Sequence, residues 1–169
     1  MKRFFPAAIL VACFSGCAGY HLGSVKPYYL RDVHTIAVPT FKNNTLVPRI
    51  EVLITDTVIK QFQQDGTYRI VGDDEADAIL KAEIVGISRT QARSVTGNVL
   101  ATQEFNLTLR VRYSLINRAD ETVLAAPATV SGTTSFFVSS DIVTDERQAL
   151  PLATEDVATH LVSALSEGW

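Results

Sequence analysis

The feature that most constrains the fold is a regular alternation of apolar and polar side chains over residues 105–115. Its apolar members are Phe105, Leu107, Leu109, Val111, Tyr113 and Leu115, and its polar members are Asn106, Thr108, Arg110, Arg112 and Ser114. Successive side chains of a β-strand point to opposite faces of the sheet, so this period of two predicts one long strand with a buried face and a polar face. The buried face requires a second layer of structure to cover it.

Four further segments are predicted to be extended. Residues 78–89 alternate in the same way, and the Thr-Gly-Asn sequence at 96–98 predicts a hairpin turn between this strand and the one at 105–115. Residues 123–137 form the next predicted strand, in which Pro127 marks a bulge or an edge position. Residues 35–41 predict a short buried strand before an Asn-rich turn at 42–45, and residues 68–71 predict a brief strand or edge.

Two segments have the helical pattern. Pro48 suits the first turn of a helix, and the apolar residues that follow predict an amphipathic helix of about 16 residues, with Thr55 on its polar face and its end near Gly66. A second helix is predicted over residues 145–165, with Leu152 in its apolar stripe and Pro151 at its start or at a kink. This order predicts an α+β fold, in which two helices pack on one face of a mixed, mostly antiparallel four-stranded sheet as a two-layer sandwich.

The first residues of the chain have the organisation of a bacterial lipoprotein signal. Lys2 and Arg3 precede a mainly apolar run, which is followed by two small residues and then by Cys17. The apolar run is shorter than the ~20 residues that a transmembrane helix needs. A basic start, an apolar stretch and small residues before a cleavage point are typical of secretion signals. A cysteine at that point supplies the thiol that accepts a diacylglycerol group, and it becomes the new N-terminus.

Two alternatives to lipidation at Cys17 remain open. Cys13 also follows a short apolar box at residues 10–12, but its use would leave a shorter apolar run, so Cys17 is preferred. An ordinary cleaved signal is the other alternative, since Phe14 stands where lipoprotein signals usually carry Leu. Ala18, rather than Asp, after the cysteine favours sorting to the outer membrane.

These features divide the chain into a signal peptide at residues 1–16, a lipidated N-terminus and tether at 17–30, and a single α+β domain at 31–169. We expect acyl chains to hold the domain at the periplasmic face of the outer membrane. Removal of the signal takes away two of the 15 basic residues and none of the 18 acidic ones, so the formal net charge moves from −3 to −5. An acidic domain does not favour nucleic-acid binding.

No residue pattern predicts a catalytic or a metal site. Both cysteines lie in the signal region, so the domain has no thiol ligand or nucleophile. His21, His34 and His160 are far apart in sequence and have no carboxylate or Cys partners at ligand spacing. The sequence has no Gly-rich phosphate loop after a strand and no Gly-x-Ser-x-Gly elbow. We therefore expect a protein that is not an enzyme and that uses no metal or cofactor.

The candidate binding residues are arginines. Arg110 and Arg112 lie on the polar face of the long alternating strand, and Arg89 and Arg93 lie at the end of the preceding strand and in its loop. A hairpin that turns near Gly97 could bring the four to one end or face of the sheet. Guanidinium groups bind phosphate and carboxylate bidentately, so the four are candidates for contact with an anionic lipid head group. The alternative is solvated charge that keeps the sheet soluble.

Two sequence motifs resemble those of a known family. The sequence CAGYHL at residues 17–22 resembles the Cys-x-Gly-Tyr-x-Leu start of lipopolysaccharide-assembly lipoproteins of the LptE type. The sequence IAVPTFKNNT at 36–45, followed by PRIE at 48–51, is similar to the first strand, turn and helix start of that family. The order of elements also fits, but beyond Asp65 only the pattern agrees and not the motifs.

The resemblance implies a lipoprotein at the inner leaflet of the outer membrane. Such proteins bind a large β-barrel translocon of the LptD kind, partly plug its lumen and help to place lipopolysaccharide in the outer leaflet. The resemblance also implies that basic residues on the sheet contact lipopolysaccharide. Arg89, Arg93, Arg110 and Arg112 are the candidates for that contact, on their charge and position and not on a motif.

Two other functions are compatible with the sequence. The same strand, Asn-rich turn and helix are similar to lipoproteins that activate a peptidoglycan synthase or form a secretion pore for extracellular fibres. The Gly19-Tyr20 pair and the two long alternating strands favour the lipopolysaccharide-assembly family. A periplasmic ligand-binding or enzymatic domain is the remaining alternative, and an ordered pocket with convergent polar groups would support it.

Overall fold

A computed structural model describes residues 26–93, 103–139 and 141–168 of the chain. The described residues form two α-helices and six strands. In chain order these elements are β1 (Thr35–Ala37), β2 (Lys42–Asn43), α1 (Ile50–Asp65), β3 (Arg69–Ile70), β4 (Ala78–Arg93), β5 (Gln103–Asn117), β6 (Val123–Val138) and α2 (Ile142–Ser166). Short 3-10 helices at Tyr28–Leu30 and Asp73–Glu75 precede β1 and β4.

The strands form one mixed sheet. Its order is β3-β1-β4-β5-β6, and β2 also pairs with β4. The long strands β4, β5 and β6 pair antiparallel, whereas β1 runs parallel to β3 and β4, and β2 runs parallel to β4. The predicted α+β class with two helices and a mixed sheet is confirmed. The predicted four-stranded sheet is wrong, since the sheet has six strands. The sheet is mostly antiparallel only in the number of paired residues, because the two long pairings are antiparallel and the three short pairings are parallel.

The short strands explain this difference. The brief edge strand predicted at 68–71 is confirmed as β3, but β2 lies in the segment that was predicted as a turn. Each of these strands contains two residues, which is too short for an alternation to show in the sequence. Helix α1 lies between β1 and β3, and a helical crossover brings the second strand back parallel to the first.

The buried side chains of the helices and the sheet form a single core. Strand β5 contributes Leu107, Leu109, Val111 and Leu115, which are fully buried, so the predicted apolar face of this strand is confirmed. The fully buried side chains of the helices include Ile54, Val58, Phe62, Val157 and Leu161. Strand β6 is an edge of the sheet, and its register with β5 shifts between Ala128 and Ala125, which confirms the bulge or edge position predicted for Pro127.

Helix α1 ends where predicted. Gly66 has φ +75, and its amide donates a 3.0 Å hydrogen bond to the Phe62 carbonyl. Thr55, predicted on the polar face, is buried instead. Its Oγ1 donates to the Glu51 carbonyl at 2.6 Å and accepts from the Phe41 amide at 3.0 Å, so its hydroxyl is satisfied inside the protein.

Helix α2 begins three residues before its predicted start, at Ile142. The Asp141 carboxylate accepts a 3.0 Å hydrogen bond from the Val143 amide and caps the helix. Pro151 therefore lies inside the helix and not at its start. The helix crosses β6 at Gly132, where a Cβ would lie 2.4 Å from the Ala153 carbonyl oxygen.

The two helices run side by side in the same direction. At their C-terminal ends, Ser166 Oγ donates a 2.9 Å hydrogen bond to Asp65 Oδ1. The first described residues lie at the same end, because Lys26 Nζ is 4.8 Å from the ring centre of Tyr68, and Tyr68 Oη donates to the Leu165 carbonyl at 2.7 Å. The end of the predicted tether thus packs against the C-terminal ends of the helices.

Candidate functional site

The polar face of β4 and β5 carries two of the predicted arginines. Glu83 of β4 lies opposite Arg112 of β5, and Gly86 lies opposite Arg110. A shallow cavity of about 350 Å³ opens on this face. Its lining residues are Lys42, Lys81, Ala82, Glu83, Arg112, Tyr113, Ser114 and Pro127. The polar face combines the cations of Lys42, Lys81 and Arg112 with the carboxylate of Glu83.

Arg112 is paired with a carboxylate. Its Nε donates to Glu83 Oε1 at 2.7 Å, and Asn44 Nδ2 donates to Glu83 Oε2 at 2.8 Å. The pKa of the Glu83 carboxyl is lowered, first by the hydrogen bond from Asn44 and next by that from Arg112. Glu83 therefore stays ionised over the physiological pH range and neutralises Arg112.

Arg110 is the arginine of this face that has no partner among the described residues. Its side chain is exposed and lies over Gly86, where a Cβ would be 3.5 Å from Arg110 Nη2. Among the residues that the structure describes, none forms a hydrogen bond or ion pair with its guanidinium. Within the described parts of the chain, all five N–H donors of Arg110 are thus available to a phosphate or carboxylate.

Arg89 lies on the other side of the sheet. The register between β4 and β5 shifts after Ile84, so Arg89 faces the same side as buried Leu107. Arg89 Nη1 lies 2.7 Å from Glu146 Oε2 of helix α2. Arg93 is the last residue of β4 and lies opposite Glu104. The structure therefore brings Arg110 and Arg112 together, and it does not bring Arg89 to their face.

Two lysines of this face were missed as candidates. Lys81 is exposed, alternates with Leu80 and Ala82, and therefore shares the polar face of β4. That alternation was visible in the sequence. Lys42 reaches the face through the parallel pairing of β2 with β4, opposite Glu83, and no local sequence signal predicts that pairing.

The predicted lipid-attachment residue, Cys17, lies outside the described residues, as do the signal peptide and the turn near Gly97. In the parts of the chain that the structure describes, no helix has the length and apolar character that crossing a bilayer requires.

The family model LptE, lipopolysaccharide-assembly, matches residues 33–165 of the chain. The chain belongs to the LptE family. The match runs from the residues before β1 almost to the end of α2, so it includes the polar face and both helices. The predicted family is confirmed, and it is a non-enzymatic component of lipopolysaccharide transport.

Solved structures share the fold of this LptE-family chain at low sequence identity. A hypothetical protein from Chlamydia trachomatis is 9% identical with a TM-score of 0.57, over 79% of this chain and 96% of that chain. A neuraminyllactose-binding hemagglutinin homolog from Helicobacter pylori is 12% identical with a TM-score of 0.52, over 88% of this chain and 93% of that chain. A minor lipoprotein from Acinetobacter baumannii is 13% identical with a TM-score of 0.50, over 79% of this chain and 93% of that chain. These likenesses concern the fold alone, and no curated protein matches the chain.

The Asn-rich part of the LptE-like motif builds a rigid loop before α1. Asn43 Oδ1 accepts hydrogen bonds from the amide and the hydroxyl of Thr45, at 2.9 and 2.7 Å. Asn43 Nδ2 donates to the Val47 carbonyl at 2.9 Å and to Glu51 Oε2 at 2.8 Å. One side chain thus holds the turn, the end of the loop and the first turn of α1 together.

Proposed function

We propose that this LptE-family protein is an outer-membrane lipoprotein that acts in lipopolysaccharide assembly. The observation that carries the proposal is the family match over residues 33–165. The basic start, the apolar run and the small residues before Cys17 support lipid attachment at that cysteine. Acyl chains on Cys17 hold the domain at the periplasmic face of the outer membrane.

In this role the protein binds a β-barrel translocon of the LptD kind and partly plugs its lumen. A barrel wide enough to pass lipopolysaccharide has a polar, water-filled interior. The two-layer domain is suited to that interior, because its sheet presents a polar face in Lys81, Glu83, Arg110 and Arg112 while its apolar side chains are covered by the helices. The fold therefore supports a plug that remains hydrated on one side.

Arg110 is the strongest candidate for direct contact with lipopolysaccharide. The anionic groups of a glycolipid head bind guanidinium through charge-assisted, bidentate hydrogen bonds. Arg112 and Arg89 already have carboxylate partners, whereas Arg110 has none among the described residues. Lys42 and Lys81 add positive charge to the same face.

The test is the composition of the complex that the full-length, tagged protein forms in native membranes. After extraction in mild detergent, a large outer-membrane β-barrel protein is expected at near-equal amounts, together with lipopolysaccharide. A peptidoglycan synthase in place of the barrel, or a ring of copies of this chain, would instead support the alternative functions. The Cys17→Ala variant is the control, because it is expected to lose membrane attachment.

A further inference from the structure

An apolar groove lies where both helices begin. It has a volume of about 590 Å³ and separates the loop before α1 from the first turns of α2. Leu46 and Val47 line one side, and Val143 and Leu150 line the other. The Leu46 side chain is completely exposed, at 101% of its reference area, and Val143 is 58% exposed. An apolar surface of this kind is typical of a contact site.

The loop that presents Leu46 is held in place on both sides. The Asn43 side chain bonds Thr45 and Val47, and Thr45 Oγ1 also accepts from the Val47 amide at 3.3 Å. At the end of the loop, Arg49 has φ +63, a left-handed conformation that is uncommon for a residue with a side chain. A network and a strained residue that together fix an exposed leucine indicate a preorganised contact and not a loose loop.

Two arginines line the rim of the groove although the whole chain is acidic. Arg49 and Arg147 line it, and within the described residues neither forms an ion pair, although hydrogen bonds first, and the charge of Arg147 in addition, lower the pKa of the nearby Asp141 carboxyl. The carboxylate of Glu146 is paired with Arg89, whereas that of Glu51 accepts a hydrogen bond from the neutral Asn43 amide, which does not compensate a negative charge. Both helices begin here and run in the same direction, and the Asp141 carboxylate already caps the positive dipole end of α2, so the two arginines are the cations that a docked carboxylate would meet. The groove therefore complements an apolar group flanked by carboxylates.

The groove is remote from the first described residues of the chain. The first described residues pack at the C-terminal ends of the helices, beside Tyr68 and Leu165. Helix α2 contains 25 residues, which corresponds to about 37 Å along its axis. Its N-terminal end, with the groove, therefore lies at the far end of the domain from Lys26, the first described residue.

We propose that this groove docks an extended segment of a partner protein, in which an apolar side chain packs between Leu46 and Val143 and flanking carboxylates pair with Arg49 and Arg147. A central apolar contact with charged groups at its rim is the usual arrangement of a protein interface. The inference rests on the proposed function, because it assigns a surface to the protein partner that the proposed function requires.

The test is site-specific photocrosslinking in native membranes. The full-length chain carries p-benzoyl-phenylalanine in place of Leu46, and a matched chain carries it in place of Leu152, which is 54% exposed on the outer surface of α2. The expected result is one protein adduct from position 46 and none from position 152. Mass spectrometry of the crosslinked peptide is expected to find an apolar residue with Asp or Glu within a few positions.

Charge reversal tests the rim. In the chain with the crosslinker at position 46, Arg49→Glu combined with Arg147→Glu is expected to lower the adduct yield at least tenfold. The matched control combines Lys60→Glu with Arg69→Glu, which makes the same change of net charge at exposed positions outside the groove. Its yield is expected to stay unchanged, and unchanged thermal unfolding of both variants shows that the domain remains folded.

The outcomes separate this inference from the proposed function. No adduct at position 46, an adduct with lipid or with a second copy of the chain, or a crosslinked segment without carboxylates would overturn the docking site. If a β-barrel protein still copurifies in that case, the proposed function stands without the docking site. A carboxylate-flanked adduct from a protein that is not a β-barrel would support the groove and contradict the proposed partner.

Discussion

Glu83 and Arg112 form a hydrogen-bonded ion pair across β4 and β5, with Arg112 Nε 2.7 Å from Glu83 Oε1. This ion pair gives two neighbouring arginines of one sheet face different capacities to bind an anion. Arg112 has its carboxylate, whereas Arg110, two residues earlier in β5, has no partner among the described residues. The guanidinium of Arg110 can therefore bind an external anion, whereas that of Arg112 is already neutralised by Glu83.

The first prediction concerns lipopolysaccharide binding by this face. Arg110→Gln is expected to weaken binding about fivefold, which corresponds to about 1 kcal/mol for a partly exposed charge contact. Arg112→Gln is expected to have less effect, and Glu83→Gln is expected to strengthen binding because it releases Arg112. Competition binding of purified lipopolysaccharide at low and high salt measures all three variants. Equal losses for Arg110→Gln and Arg112→Gln would contradict this assignment, and Lys60→Gln, on another surface, is the control.

The second prediction concerns the core face of β5. Leu109 is fully buried, so Leu109→Asp places an unpaired charge in the core and is expected to prevent folding. Leu152→Asp makes the same substitution at a leucine that is 54% exposed, and this variant is expected to fold. Circular dichroism and thermal unfolding distinguish the two. A folded Leu109→Asp protein would show that the other face of β5 is buried.

The core of this fold could be predicted because it depends on local periodicity. The alternation over 105–115 identified the buried face of β5, and the basic and polar positions between identified its exposed face. Gly66 marked the end of α1 because glycine adopts, without strain, the left-handed backbone conformation that ends a helix. Each of these signals acts within a few residues of the position that it determines.

The candidate site was only partly predictable, because it depends on pairing between distant segments. One extra residue after Ile84 turns Arg89 from the polar face to the helix side, where Glu146 binds it, and nothing in the local alternation marks that bulge. Lys42 reaches the polar face through the pairing of β2 with β4. Leu152 was placed in the apolar stripe of α2 by its spacing, yet it is exposed, since only tertiary packing decides how wide the buried stripe is.

The third prediction concerns the crossing of α2 over β6. At Gly132 a Cβ would lie 2.4 Å from both the Ala153 carbonyl oxygen and the Val157 amide nitrogen, and these backbone atoms cannot move aside easily. Gly132→Ala is therefore expected to lower the free energy of unfolding by about 3 kcal/mol. Gly72→Ala is the matched control, because nothing lies within 4 Å of its Cβ position. Urea unfolding checks both, and equal stability of the two variants would contradict the close packing of the helix.

The fourth prediction concerns membrane attachment. Cys17→Ala removes the thiol that accepts the diacylglycerol group, so the protein is expected to leave the membrane fraction and to lose metabolic labelling with palmitate. Cys13→Ala is the control and is expected to remain labelled and membrane-bound. Release by Cys13→Ala but not by Cys17→Ala would move the attachment site to Cys13, and release by neither would contradict lipidation.

The fifth prediction concerns alkaline pH and the contact between Tyr68 and the end of α2. Burial raises the pKa of Tyr68 to about 12, with smaller contributions from Tyr29 and Asp65, whereas the phenol titrates near pH 10 in an unfolded chain. The folded state thus binds this proton more tightly, so the stability that Tyr68 contributes is complete below about pH 10 and is lost as the pH rises towards 12.

Tyr68→Phe is expected to be less stable than the natural protein by about 1 kcal/mol at pH 7, because Tyr68 Oη no longer donates to the Leu165 carbonyl. Phenylalanine does not titrate, so the difference in stability between the two proteins is expected to shrink between about pH 10 and 12. Urea unfolding at stepped pH measures this difference directly. Tyr28→Phe, which removes a phenol at a tyrosine that is 82% exposed, is the control for the loss of stability at pH 7. A gap that stays constant up to pH 12 would mean that Tyr68 ionises as readily in the folded protein as in the unfolded chain.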